Sequence, residues 1–190
     1  MKRLILILLA VVSLSSVSSA QIAGKREAAT DTLPAAIVPV QGDINIFTYY
    51  PLVPKFRDMW SRGCETQLVR VTRGENTVWY IELNFLGTKR YVSLKDAKDF
   101  LKRIQGMNDY LATVNLNDPS CIEQIFIGPD GTKLYFRTDV THKDGTNKTS
   151  QRWELLPASA PAQASLDLRT PEELVNMFTK AVDESTRLSK

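Results

Sequence analysis

The chain has 190 residues, of which 43% are hydrophobic and 24% are charged, and its formal net charge is +3. These proportions are typical of a soluble globular domain and exclude disordered, collagen-like and multi-span membrane proteins. Once Lys2 and Arg3 are removed with the leader described next, 22 basic residues face 21 acidic ones. So small an excess excludes a global electrostatic attraction to nucleic acid, and we expect no nucleic-acid partner.

The first twenty residues have the three parts of a signal peptide. Lys2 and Arg3 form a basic start, residues 4–14 are an apolar run, and residues 18–20 are the small side chains read at cleavage. Eleven apolar residues are too few to span a bilayer, which needs about 20 in a helix. We therefore expect cleavage before Gln21 and a periplasmic or extracellular protein with no transmembrane segment.

Residues 21–45 are predicted to form a flexible N-terminal arm, and residues 46–190 a single α+β domain. Pro34 and Pro39 interrupt the arm, which has no sustained hydrophobic periodicity. At the start of the domain, aromatic and β-branched residues over 46–50 favour an extended segment.

The first half of the domain contains the signals of a hairpin. Residues 67–72 and 77–86 predict two strands, because apolar and polar residues alternate in them, and the turn at 73–76 contains glycine and asparagine. A third short strand is predicted over 90–92.

A helix is predicted directly after these strands. Ser93 and Asp96 have the spacing of a capping box, and Gly106 is expected to end the helix. Its apolar stripe is Leu94, Ala97, Leu101 and Ile104. Residues 110–116 fit either another helical turn or a strand.

The pattern of three strands and a helix recurs in the second half. Strands are predicted over 122–127, 133–140 and 151–156. A connector follows over 157–169. Thr170 as the capping residue and Pro171 at the first helical position then predict a C-terminal helix over 171–187.

Together these elements predict an α+β fold in which one mostly antiparallel sheet of about five to seven strands carries two helices on one face. Both halves have the order βββα, and both open with a cysteine followed three residues later by a glutamine, at Cys64 and at Cys121. A duplication and a chance similarity of two amphipathic hairpins both explain this match.

Cys64 and Cys121 are the two cysteines of the chain. Paired thiols persist as disulfides in exported proteins, so we expect a Cys64–Cys121 bond, which would stabilise the fold by about 4 kcal/mol. The alternative is two separate buried thiols. Asn147 begins a glycosylation sequon, which matters only in a host that glycosylates exported proteins.

The sequence contains few groups suited to catalysis. His142 is the single histidine, and it lies in a predicted hairpin turn where a solvated side chain is expected. No nucleophile elbow, phosphate-binding loop, dinucleotide fingerprint or zinc-protease motif occurs, and three cysteine and histidine side chains are too few for a structural zinc site. We predict no metal, no cofactor and no assigned catalytic residue, although a pair of carboxylates could still hydrolyse a glycosidic bond.

Two stretches concentrate positive charge. The first places six basic side chains within fifteen residues: Lys89, Arg90, Lys95, Lys98, Lys102 and Arg103. On a helix the three lysines of this stretch share one face, which would attract a negatively charged protein, polymer or headgroup surface. The alternative is an ordinary solvated face opposite the core.

The second stretch, residues 55–62, interleaves aromatic residues with cations, as recognition patches do, and includes Arg57 and Trp60. Its alternative interpretation is that the aromatic side chains pack in the core while the cations point outward.

The function that these features favour is non-enzymatic binding of a protein or a cell-envelope component by a secreted or periplasmic protein. One alternative is a small secreted hydrolase that uses a carboxylate pair. Another is a structural subunit of an envelope assembly, which would contact its neighbours through the arm before Ile46 or through the last helix.

Overall fold

Two antiparallel sheets and two helices make up the described part of the protein, which confirms the α+β class. The computed structural model describes residues 34–38, 40–52, 56–57, 62–85, 87–114, 120–143, 145–158 and 165–190. In these ranges no helix is both long enough and apolar enough to cross a membrane.

The first sheet consists of the strands that the alternating pattern predicts in the first half. They are β1 (Asn45–Pro51), β2 (Phe56–Arg57), β3 (Gly63–Arg73), β4 (Asn76–Phe85) and β5 (Thr88–Ser93). The order is β1-β3-β4-β5, and the two-residue β2 also pairs with β3. Gly74 makes the β3–β4 turn with a φ of 56°, a left-handed conformation that glycine adopts without steric conflict.

The second sheet consists of β6 (Ser120–Ile127), β7 (Lys133–Lys143), β8 (Thr146–Leu156) and β9 (Leu166–Leu168), in that order across the sheet. The hairpin between β7 and β8 is longer than predicted, because the exposed residues 146–150 continue the pairing with β7. The short β9 lies inside the predicted connector, where Leu166 and Leu168 are buried.

The helices are α1 (Leu94–Thr113) and α2 (Glu172–Leu188). The prediction that α1 ends at Gly106 is wrong, and the segment from Tyr110 to Thr113 is helical. One interior glycine costs a helix about 1 kcal/mol relative to alanine. Burial of Ile104 and Met107 on either side of Gly106 offsets this amount.

The C-terminal helix matches the predicted range to within a residue at each end. Its capping differs from the prediction, because Pro171 occupies the N-cap position and makes no side-chain hydrogen bond there. The Thr170 hydroxyl instead lies 3.5 Å from the Glu173 carboxylate.

The α+β class is confirmed, but the prediction that all strands form one sheet of about five to seven strands is wrong. Each sheet has four main strands, and no hydrogen-bonded pairing joins the two sheets in the described ranges. The helix α1 separates β5 from β6 in the chain, so the second half begins a new sheet with β6 paired to β7. Periodicity reports which face of a strand is buried but not which strand lies beside it.

Both sheets and both helices contribute to one core. The α1 and α2 helices contact each other through Phe100 and Phe178, whose ring centroids lie 6.2 Å apart. The same cluster of buried residues includes Leu68 of β3 and Trp153 of β8. The helices therefore join the two sheets rather than covering one face of a single sheet.

A buried aspartate fastens the start of α1 to the second sheet. The Ser93 hydroxyl accepts a hydrogen bond from the Asp96 backbone, as the capping box predicts. The Asp96 side chain, however, accepts backbone N–H bonds from Asp130 at 2.7 Å and Thr132 at 3.1 Å. Gly128 leaves room for this carboxylate, since a Cβ there would lie 2.6 Å from Cγ of Asp96.

Candidate functional site

Three lysines form an exposed row on α1, which we call the basic face: Lys95, Lys98 and Lys102. Their i, i+3, i+7 spacing places them on the side of the helix opposite to the buried residues Ala97, Phe100 and Ile104. No ion pair or hydrogen bond joins any of the three ammonium groups to another residue that the structure describes. Their charge is therefore available to a partner.

Arg103 lies next to this row and connects α1 with β6. Its guanidinium group is 3.4 Å from the Asp99 carboxylate and 6.0 Å from the centroid of the Phe126 ring. The contact with Asp99 offsets part of the positive charge, so Lys102 is the stronger unpaired cation at this point.

Between α1 and β6 lies a concave surface of about 580 Å³, which we call the α1–β6 groove. It is lined by Asp99, Lys102, Arg103, Gly106, Met107, Tyr110, Gln124 and Phe126. Met107 and Phe126 are buried and form an apolar floor, whereas the Tyr110 side chain at the rim is 51% exposed. Apolar side chains of a ligand could therefore contact the floor while its acidic groups meet Lys102 and Arg103.

The other two residues of the predicted basic stretch lie elsewhere, on β5. Lys89 binds Glu82 at 3.1 Å and lies 5.4 Å from the centroid of the Tyr49 ring. Arg90 donates a hydrogen bond to the backbone oxygen of Lys89. Adjacent residues of a strand point to opposite faces, so Lys89 and Arg90 do not share one surface with each other.

The second predicted patch is not part of the groove. Arg57 is exposed on β2, beside β3 in the first sheet, whereas the groove is formed by α1 and β6. Trp60 lies outside the described residues.

The expected Cys64–Cys121 disulfide is not formed in the structure. Cys64 is buried in the core on β3, and Cys121 is exposed on β6 of the other sheet. The pKa of the Cys121 thiol is raised, first by desolvation and then by a hydrogen bond with Asp139. A raised pKa disfavours the reactive thiolate at neutral pH.

His142 lies in the exposed hairpin between β7 and β8, at the position where the sequence predicts a surface histidine. Its Nδ1 atom is 3.0 Å from the Oδ1 atom of Asn147, the residue that opens the sequon. No three histidine, cysteine, aspartate or glutamate side chains of the described ranges form a group that could hold a metal ion.

Several places in the described ranges bring carboxylates together, as the hydrolase alternative requires. A cavity of about 610 Å³ at the start of α1 is lined by both Asp96 and Asp130. Both oxygens of Asp96 accept backbone hydrogen bonds, so this carboxylate holds the fold together rather than facing a substrate freely. In the second sheet, Glu154 and Asp167 share the guanidinium group of Arg152.

Several groove residues were missing from the sequence-based prediction. Met107 continues the apolar stripe of α1 one turn beyond Ile104, and the predicted helix end at Gly106 excludes it. The participation of Phe126 could not be predicted, because it depends on α1 lying beside β6.

No protein-family model matches the chain, and no curated protein or solved structure is significantly similar to it. The functional inference therefore rests on the geometry and charge of the site.

Proposed function

We propose that the protein is an exported, non-enzymatic binding protein that holds an acidic segment of a partner protein against α1. The observation that carries this proposal is the continuity of the basic face with the α1–β6 groove through Lys102. Unpaired cations beside an apolar concave surface can supply electrostatic attraction and apolar burial to the same ligand.

A protein segment fits this surface better than a flat anionic polymer or headgroup layer. The groove is concave, and its floor consists of the buried side chains of Met107 and Phe126. Tyr110 stands exposed at its rim, and tyrosine is enriched at protein interfaces because its ring is apolar and its hydroxyl can remain hydrated. A purely electrostatic partner would use the lysines and leave this apolar surface uncovered.

Export is proposed on the leader-like residues 1–20. The proposal of no enzymatic role is supported by the buried Asp96 at the start of α1, because both oxygens of its carboxylate already accept backbone hydrogen bonds.

The test is a titration of the mature chain with fluorescent octapeptides in which valine alternates with aspartate or glutamate, compared with peptides in which lysine replaces the acids. We expect the acidic peptide alone to bind, with an affinity that falls as salt is added. The triple variant K95E/K98E/K102E should weaken binding by at least about tenfold, because attraction becomes repulsion.

The matched control is K143E/K148E/K180E, which changes the net charge equally at three exposed lysines away from the groove. This control should bind within about twofold of the unmodified protein, since none of its three lysines lines the groove or lies on α1. Equal weakening in both triple variants would show that only the net charge matters and would overturn the proposal.

A further inference from the structure

The strand β6 lies at the edge of the second sheet and pairs on one side only. All eight of its residues, Ser120–Ile127, are in register with β7. Among the described residues no strand pairs with its other side. Alternate backbone N–H and C=O groups of an edge strand point away from the sheet, where an extended chain can bind them.

The side chains of β6 leave this edge apolar. Ile125 and Ile127 are 60% and 64% exposed, while Phe126 between them is buried. Natural proteins commonly protect a free edge with lysine, proline or a bulge. The one charged residue of β6, Glu123, is bound by Arg137 at 2.6 Å and does not protect the edge.

The α1–β6 groove continues from the inner side of this edge. Gln124 and Phe126 line it from β6, and Lys102, Met107 and Tyr110 line it from α1. A strand added beside β6 would direct alternate side chains into the groove and the others towards Ile125 and Ile127.

We propose that the partner segment binds as an additional antiparallel or parallel β-strand on β6, with its acidic side chains in the groove beside Lys102 and Arg103 and its apolar side chains on the other face beside Ile125 and Ile127. This inference rests on the proposed function and specifies its ligand as an extended peptide of about six to eight residues, the length that matches β6 at about 3.3 Å per residue.

Charge complementarity distinguishes β6 from the other apolar edge, β1. That strand exposes Ile46 and Tyr49, but its neighbouring cation Arg73 is already bound to Asn45 at 2.7 Å. Beside β6, by contrast, Lys102 has no ion-pair partner among the residues that the structure describes.

A second copy of this chain is disfavoured as the segment that binds the open edge of β6, because its charges do not complement those beside β6. A second β6 would bring no excess of acidic side chains, because Glu123 is already paired. Antiparallel pairing of two β6 strands would also bring two basic faces towards each other, and like charges repel.

The decisive experiment alters the peptide backbone and leaves the protein unchanged. Two versions of the acidic octapeptide carry N-methyl groups on alternate amides, one on odd and one on even positions. In an added strand only one set of amides donates to β6. We therefore expect one version to lose at least about tenfold in affinity and the other to remain within about threefold.

Equal affinity of both N-methylated versions and the parent would overturn strand addition while leaving the proposed function intact. If the parent peptide itself fails to bind, both proposals are overturned. Ile125→Gln provides the check on the protein side, because it removes the apolar contact without adding a charge that would attract the acidic peptide, and Ile46→Gln is its matched control on β1. We expect the first variant to weaken binding of the parent peptide and the second to leave it unchanged.

Light scattering over a range of protein concentrations tests the second copy as occupant. We expect the mass to remain that of one chain. A dimer that Ile125→Gln dissociates and Ile46→Gln does not would show that the edge binds another copy, and would overturn the inference.

Discussion

A charged cluster on the outer face of the first sheet, opposite the shared core, is buried, whereas one on the outer face of the second sheet is exposed. On the first sheet, Glu82 is 0% exposed and is held by three side chains. Gln67 donates to it at 2.6 Å, Tyr91 at 3.0 Å and Lys89 at 3.2 Å. A second buried cluster, which includes Ile37 and Val69, lies on the same face.

The outer face of the second sheet carries a hydrated ion-pair cluster on β6 and β7, although Glu154 on β8 and Asp167 on β9 are buried there. Arg137 binds Glu123 at 2.6 Å and Asp139 at 2.7 Å, and all three side chains remain accessible to water. Exposed pairs stabilise a fold by about 0–1 kcal/mol, whereas a buried carboxylate that loses its partners is far more damaging. The difference teaches that burial, and not the number of charged contacts, decides their effect on stability.

The largest effect is expected where the start of α1 is fastened to the second sheet. Gly128→Ala should destabilise the protein by about 3 kcal/mol, because the new methyl group overlaps the Asp96 carboxylate and displaces its bonds to the β6–β7 turn. Urea unfolding measures this change. Gly131→Ala serves as a comparison in the same turn, since its added methyl would meet no atom closer than 3.6 Å and would be strained by the φ of 90° alone.

Truncating one glutamate in each cluster, Glu82 in the first sheet and Glu123 in the second, tests whether burial decides the effect on stability. Glu82→Ala should cost about 2–3 kcal/mol, since it leaves Gln67 and Tyr91 without their shared acceptor. Glu123→Ala should cost less than about 1 kcal/mol, because Arg137 keeps Asp139 and water. Equal unfolding free energies for the two variants would contradict the role assigned to burial.

At alkaline pH the protein should lose stability through a group in the first sheet, Tyr91. Burial and then the adjacent Glu82 carboxylate raise the pKa of Tyr91 above its ordinary value of about 10. The neutral Tyr91 hydroxyl therefore contributes fully to stability below pH ~10, and this contribution is lost as the pH rises through the folded-state pKa. Unfolding curves between neutral and strongly alkaline pH should show this loss, and Tyr91→Phe should reduce it.

At acidic pH a smaller effect is expected from the second sheet. Hydrogen bonds from Arg137 hold the pKa of Asp139 below its ordinary value. This contribution is present above the unfolded-state pKa of about 4 and is lost as the pH falls through the folded-state value. Because the pair is exposed, Asp139→Asn should change the acid midpoint only slightly, and added salt should make the two proteins alike.

Local chemistry accounts for the elements that the sequence predicts well. The turn at Gly74 and the alternation along β4 specify a hairpin without help from distant residues, and Ser93 marks the start of α1 in the same way. Periodicity likewise identifies the basic face, since helical spacing alone places Lys95, Lys98 and Lys102 together.

The remaining features depend on contacts between distant segments. Asp96 has the spacing of a capping box, yet its carboxylate binds a turn more than thirty residues away. The three residues of β9 are too few to show a periodic pattern, and their strand is defined by pairing with β8. The α1–β6 groove has no local signal either, because its two walls belong to different elements.

The sequence by itself determined the α+β class, most strands, both helices and the row of lysines on α1, because turn residues and side-chain periodicity act over a few neighbouring positions. Only the tertiary structure decided that the strands form two sheets, that Lys89 is paired with the buried Glu82, and that β6 presents an open apolar edge beside a cationic groove. The physical reason is that these properties depend on which surfaces bury one another, and burial is a property of the whole packed chain.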